Sequence, residues 1–400
     1  MTLPNAGDEP TVPRSQRVWL VMAVVMASTC VAQAFGRFTW GVVLPGARDD
    51  LLGGSNTLAG FLGTVNVTAY LLGTVFVSWA SSRFSLVGLV RLGLTVSTVS
   101  LALASVASNG VLLAVALFGM GVGGAIIWIP SPKIAALIFP AERAGVAVGL
   151  VGSGIGIGIV FAGQIASFLG RTRTAVDVWQ LVYRIEFAIA LVVLLGTFTG
   201  LRLSARPTAP AGRIGGFGAL RTVRAWVPTA VAYSAFGFSY ILVLAFLVAR
   251  LKDDAGFSPT AAAWMFSLVG FAAAIGGVAL GALSDRIGRR ITLTGSFTMF
   301  AACGLVVLTG QQPWVAIAAF GAGLSFSGGP ALITAHIVAN TDSASYGPAF
   351  SAATLAFGVA QMVSPQVGGL IADTAGSFTW VFVLSATVSL IGAAAASRLP

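Results

Sequence analysis

The chain has 400 residues, of which 57% are apolar and 8% charged, and its mean hydropathy is +0.94. Soluble domains carry roughly 25% charged residues, so a water-soluble fold of this size is excluded and most of the surface must meet lipid. The net charge of +10 does not point to nucleic acid. Its Lys and Arg residues stand singly between apolar stretches, as they do in the loops of membrane proteins. Cys30 and Cys303 lie in apolar surroundings with no zinc or redox spacing. A single histidine and no carboxylate cluster argue against a metal site, and no cofactor is expected.

A membrane-crossing helix needs roughly 20 mostly apolar residues. Cutting the chain at charges, prolines and Asn/Gly clusters predicts an all-α membrane protein with spans at 17–44, 56–80, 86–108, 110–138, 143–169, 178–201, 222–249, 259–283, 290–309, 313–339, 346–371 and 376–397. A polar stretch, 202–221, reads as a cytoplasmic linker between bundles at 17–201 and 222–400, with 1–16 as a cytoplasmic tail. Ala32-Gln33-Ala34 resembles a signal-peptide cleavage site, but the internal repeat described below requires the first helix to be kept.

In chain order, the first span carries Arg37 about two-thirds along its length. An arginine cannot shed its charge, and an ionisable group at that depth costs several kcal/mol unless it serves a function. Either a substrate anion or a structural partner, such as Glu186 or backbone carbonyls, answers it. Asn66 and Tyr70 lie mid-span in the second helix. Lys133 comes late in the fourth, where it either lines a cavity or snorkels. The fifth helix has Gly145, Gly149, Gly152 and Gly156 on one face, and the eighth has Gly270 and Gly277. Small faces let helices approach closely. Gln164, Tyr233, Tyr240 and Gln361 are further mid-span polar candidates for a pocket, or else interhelical hydrogen bonds. The sixth span opens with Arg184 and Glu186, and the tenth holds His336. Glu186 and His336 are the groups able to carry a proton. His336 and Lys133 occupy nearly equivalent places in the two halves, so together they would face one cavity.

An internal repeat runs through the chain. Ala34-Phe35-Gly36 matches Ala235-Phe236-Gly237, Ser82-Arg83 matches Asp285-Arg286, and Phe118-Gly119 matches Phe320-Gly321, at an offset of about 202 residues. Two six-helix halves follow. With both termini on one side, that side gathers Arg14, Arg17, Arg83, Arg91, Arg143, Arg202, Arg206, Arg213, Arg221, Arg224, Arg286, Arg289, Arg290 and Arg398. The other has Arg48, Arg171, Arg173, Arg184, Arg250 and Lys252. The richer side is expected to be cytoplasmic.

After the eighth span comes Gly281-Ala-Leu-Ser-Asp285-Arg286-Ile-Gly288-Arg289-Arg290. This segment resembles the loop signature of the major facilitator superfamily. The stretch Phe35-Gly36-Arg37-Phe38 with Leu44-Pro45 is similar to the first helix of a poorly characterised bacterial subfamily. The resemblance implies two pseudo-symmetric bundles that rock about a central site. It implies that Asp285 helps lock the cytoplasmic side through charge pairs. In the first-half copy Ser82 stands where that Asp would be. The resemblance also implies a transporter, not an enzyme. There is no Walker loop for ATP.

These readings converge on a secondary transporter in the bacterial plasma membrane. The expected partners are a small solute, a coupled proton or other ion and the bilayer, with no nucleic acid and the chain acting as a monomer. Arg37 and the shortage of buried acids favour an organic anion. Efflux of drugs or hydrophobic compounds is the alternative. A non-transporting sensor or scaffold is a third reading, for which the chain offers no soluble signalling domain.

Overall fold

The computed structural model describes residues 15–140, 143–201, 217–341 and 343–400. Most of the tail 1–16, most of the linker 202–221 and the setting of Gly145 lie outside the described residues. Twelve helices are long and apolar enough to cross a membrane. They are α1 (Val18–Leu51), α2 (Asn56–Ala80), α3 (Leu86–Ala104), α4 (Gly110–Ile138), α5 (Val146–Leu169) and α6 (Ala175–Gly200). The second set is α7 (Trp226–Asp254), α8 (Pro259–Ile287), α9 (Arg289–Val307), α10 (Trp314–Ala339), α11 (Pro348–Ala375) and α12 (Thr379–Ala396).

The packing repeats between the halves. Helix α1 packs on α5 and α6 as α7 packs on α11 and α12; α2 on α4 as α8 on α10; α3 on α4 and α6 as α9 on α10 and α12. Across the halves, α5 meets α8 and α2 meets α11, and these two contacts exchange under the same two-fold operation. Large apolar side chains such as Phe61, Phe168, Val192 and Trp380 remain exposed on the outside, where lipid is the solvent.

Two helices run longer than their apolar stretches predict. Helix α1 continues past Pro45 to Leu51, and α7 continues to Asp254. Both extensions carry charges, and both are helical because those charges find partners, as described below. Helix α1 also contains a π-helical segment, Cys30–Phe38. Such wide turns inside helices are frequent at functional sites, and this one holds Arg37.

Glycine contacts reveal where the halves close. A side chain on Gly60 would overlap the Pro365 backbone, and one on Gly369 the Asn56 backbone, both between α2 and α11. One on Gly41 would strike the Leu244 carbonyl of α7. All three lie in the part of the bundle away from the α8–α9 loop. Toward that loop the contacts vanish. A side chain on Gly152 or Gly281 would have nothing within 4 Å, and one on Gly149 would only touch Val278 at 4.0 Å. The molecule is therefore closed at one end and splayed at the end of the Asp285 loop.

This corrects the expectation of one continuous glycine face between α5 and α8. In this conformation Gly156 and Gly270 form the contact, Gly156 against Ala274 and Gly270 against Val160. Gly149 and Gly152 are outside it, and a side chain on Gly277 would come 3.7 Å from the Ser327 carbonyl of α10. The neighbouring Gly154 and Gly158 pack instead on α1, against Met26 and Cys30. Overpacking costs about 1–3 kcal/mol, so Gly156→Leu is expected to lower the melting temperature in detergent while Gly152→Leu leaves it nearly unchanged. Equal losses for both would contradict the splayed geometry.

Candidate functional site

Arg37 sits where α1, α2 and α11 meet. Its Nη1 donates to Gln33 Oε1 at 3.1 Å, one turn earlier in the same helix. Its Nη2 donates to Gln361 Oε1 of α11 at 2.8 Å, a bond that crosses between the halves. The guanidinium carbon lies 4.3 Å from the Tyr70 ring centroid and 5.6 Å from that of Phe38. Both are distances at which a cation is attracted to a ring face. Gln33 Nε2 in turn donates to the Tyr70 hydroxyl at 3.4 Å. Gln33 and Gln361 are each 3% exposed, whereas Arg37 and Tyr70 are half-buried.

Among the described residues no carboxylate pairs with Arg37. Its Nε is buried without an acceptor. Trp40, one turn further along α1, has a second buried donor with no acceptor, Nε1, beside Gly63 of α2. Neutral amides and ring faces thus surround a full positive charge. That leaves a site with donors to spare.

Aromatic rings adjoin the charge. Tyr240 stacks on Phe236 with centroids 5.0 Å apart, and Tyr233 stacks on Phe357 at 4.5 Å. Phe38 meets Phe326 edge-on at 5.4 Å and Tyr240 at 6.4 Å. Phe38 comes from the first half and the other rings from α7, α10 and α11, so the cluster spans the join.

Of the other predicted residues, several are placed elsewhere. Asn66 directs both amide hydrogens to backbone carbonyls, Gly36 at 2.9 Å and Leu117 at 2.8 Å. It ties α1, α2 and α4 together and has no donor left for a solute. Gln164 donates to Ser267 Oγ at 2.9 Å, a strut between α5 and α8. Lys133 is exposed beyond the break in α4. His336 is 3% exposed and pairs its Nδ1 with the Asn340 amide nitrogen at 3.2 Å, at the last turn of α10. Among the described residues no hydrogen bond or ion pair links either of these to Arg37. Arg184 is exposed and donates to the Ser105 carbonyl at 3.2 Å.

Glu186 is fully buried between α6 and α1. Its Oε1 accepts from the Thr39 hydroxyl at 2.6 Å, and its Oε2 has no partner. The Tyr183 hydroxyl, one turn away, is likewise buried and unbonded. Glu186 is therefore not the structural partner of Arg37 that was considered for it.

The closed end holds an ion-pair network. Arg48 Nη1 reaches Asp253 Oδ2 of α7 at 2.6 Å and Asn56 Oδ1 at 2.8 Å. Lys252 of α7 reaches back to Asp49 at 3.1 Å. Asp373 of α11 caps the start of α2, accepting from the Asn56 and Thr57 amides at 2.9 and 2.7 Å, where a helix N-terminus favours a negative charge. Apart from Arg48–Asn56, which stays within the first half, these links join one half to the other. Arg250, the repeat partner of Arg48, instead stays within its own half, on the Leu308 carbonyl at 3.0 Å and Asp254 at 3.6 Å. At the opposite end Asp285 is exposed with no ion pair among the described residues. The charge pairs expected of a lock there are not made among the described residues. Arg286, Gly288, Arg289 and Arg290 are exposed too, and Arg289 donates to the Ala335 carbonyl of α10 at 3.2 Å.

Two pseudo-symmetric six-helix bundles, shut at one end around a charged centre, define a membrane transporter of the major facilitator type, not an enzyme. Residues 29–397 match the family described as "Uncharacterised MFS-type transporter YbfB", and the chain belongs to that family. It is 23% identical over 302 residues to the "Uncharacterized MFS-type transporter YfhI" of Bacillus subtilis (strain 168), covering 72% of each chain. Its fold is similar to that of a bacterial homologue of the human lysosomal transporter Spinster, solved inward-facing and unoccupied, with TM-score 0.75, 16% identity and 97% and 98% of the two chains covered. It is equally similar to a D-xylose–proton symporter, with TM-score 0.74, 15% identity and 96% and 98% covered. The chain is thus a multi-pass membrane transporter.

Proposed function

We propose that this protein is a secondary transporter of small organic anions, with Arg37 as the anchor. The observation that carries the proposal is the Arg37 guanidinium. It is buried in part, surrounded by neutral amides and rings, and left without a carboxylate. A transporter of cations would place a negative group there instead. The arginine-rich end, which is also the splayed end, is proposed to face the cytoplasm together with both termini, in the bacterial inner membrane, with the chain acting as a monomer. The first-helix stretch Phe35-Gly36-Arg37-Phe38 with Leu44-Pro45 is proposed to mark relatives that share this anchor.

Coupling is proposed to run through Glu186. An ionised carboxylate with one hydroxyl donor and no cation would be expensive in this setting, so Glu186 is read as carrying a proton in this state. His336, at the edge of α10 and bonded to Asn340, is the weaker candidate. Rocking of the halves is proposed to exchange the closed end of Arg48 and Asp253 for a closure at the Asp285 loop.

Efflux of hydrophobic compounds has one observation in its favour. An apolar recess of about 230 Å³ opens beside α1, α5 and α6, lined by Cys30, Phe35, Ile157, Phe161, Ile189 and Val193. Uptake of labelled monocarboxylates and cationic dyes into proteoliposomes, with and without a pH gradient, separates the readings. Carboxylate accumulation driven by the gradient is expected. Transport of the dyes alone would overturn the anion reading.

A further inference from the structure

We infer that the solute held at Arg37 is a monocarboxylate bearing a planar aromatic ring. The inference rests on the organic-anion reading and narrows it.

The charge count sets the first part. One guanidinium serves the site, and neither Lys133 nor His336 is bonded to it, so one negative charge is matched and a second would have no cation. The donor count sets the chemistry of the head group. Two buried donors on this part of α1, Arg37 Nε and Trp40 Nε1, have no partner. A carboxylate, with lone pairs on two oxygens, suits a site with donors to spare. Gln361 Oε1, now 2.8 Å from Nη2, occupies a position that a carboxylate oxygen would take. A bound carboxylate would therefore compete with a bond that ties the two halves together.

The rings set the rest. Phe38 lies next to the guanidinium in sequence and 5.6 Å from it in space. Phe326 and Tyr240 lie 5.4 and 6.4 Å from the Phe38 ring, Tyr240 is itself in reach of the Arg37 guanidinium, and Phe236 and Phe357 stack within 9° of parallel. A solute held at Arg37 therefore lies beside a ring cluster contributed by both halves. Rings prefer offset-stacked or edge-on neighbours, which a flat ring satisfies and a puckered aliphatic ring satisfies less well.

Calorimetric titration of the full-length protein in detergent tests this with benzoate, cyclohexanecarboxylate, acetate and benzyl alcohol. Benzoate is expected to bind about tenfold more tightly than cyclohexanecarboxylate, and acetate more weakly still, given the added worth of aromatic contacts. Phe38→Leu and, as a second variant, Phe326→Leu should each narrow the gap between benzoate and cyclohexanecarboxylate while both acids still bind. Arg37→Gln should lose both acids. Cyclohexanecarboxylate binding as well as benzoate, with both lost in Arg37→Gln, would overturn the aromatic inference and leave the anion reading standing. No binding of any acid, or benzyl alcohol matching benzoate regardless of Arg37, would overturn both.

Discussion

Arg48→Ala is expected to open the closed end of the molecule. Arg48 bridges Asp49, Asn56 and Asp253 with a side chain only 9% exposed. Its removal leaves Asp253 with Lys252 alone, at 3.8 Å. Partly buried pairs of this kind, truncated on one side, cost about 1–3 kcal/mol against a full burial limit of 3–5. Such a loss shifts a two-state equilibrium roughly five- to 150-fold. Spin labels at Thr172 and Thr374, exposed on the two halves at this end, should report longer distances in Arg48→Ala and in Asp253→Asn. Arg250→Ala breaks bonds confined to the second half and should leave those distances as they are. Unchanged distances in Arg48→Ala would mean that the apolar contacts at Gly41 and Gly60 hold this end without the ion pairs.

Glu186→Gln is expected to uncouple transport from the pH gradient. The amide keeps an oxygen for the Thr39 hydroxyl and matches the carboxyl in shape, so folding should be preserved. It cannot gain or release a proton. Gradient-driven accumulation of the anion should fall at least about tenfold, while exchange of labelled for unlabelled solute at equal pH survives, as expected when an intramembrane carboxyl acts as a proton relay. Accumulation that persists in Glu186→Gln, with exchange unchanged, would remove Glu186 from the coupling and turn attention to His336.

The fold was legible because a bilayer imposes a coarse rule. Runs of about 20 apolar residues must be helices, and the repeat at Phe118 and Phe320 already implied two halves. The ends of α1 and α7 were not, because their charges look like the stop of a span. Arg48 and Asp253 extend the ends of their helices by pairing, and such a pair, 205 residues apart, leaves no local mark. Arg37 was legible for the opposite reason, as a charge with no local excuse. Gln33 could have been found with it, since an amide one turn before a mid-span arginine shares its face.

The remaining polar residues divide according to something periodicity does not encode, which is the rotation of each helix against its neighbours. Tyr70 and Gln361 contact Arg37, and Tyr233 and Tyr240 belong to the ring cluster beside it. Asn66 and Gln164 are just as polar and just as deep, yet their donors end on Gly36, Leu117 and Ser267. A buried amide is satisfied equally by a backbone carbonyl or by a solute. The glycines carry the same lesson in another form. Gly149, Gly152 and Gly156 share a face of α5, but only Gly156 touches α8 where the halves are together. A transporter that rocks has faces that are used in turn.

The central claim, that an anion is held and carried at Arg37, is tested most directly by uptake of labelled benzoate into proteoliposomes holding native protein, Arg37→Lys or Arg37→Ala at equal, verified incorporation. Loss of a charge-assisted contact to a buried anion costs about 2–5 kcal/mol. Uptake by Arg37→Ala should therefore fall by roughly 100-fold or more, with Arg37→Lys keeping part of it as a point charge without the fork. Uptake of benzoate by Arg37→Ala at the native rate would contradict the account and leave Arg37 as a strut between Gln33 and Gln361.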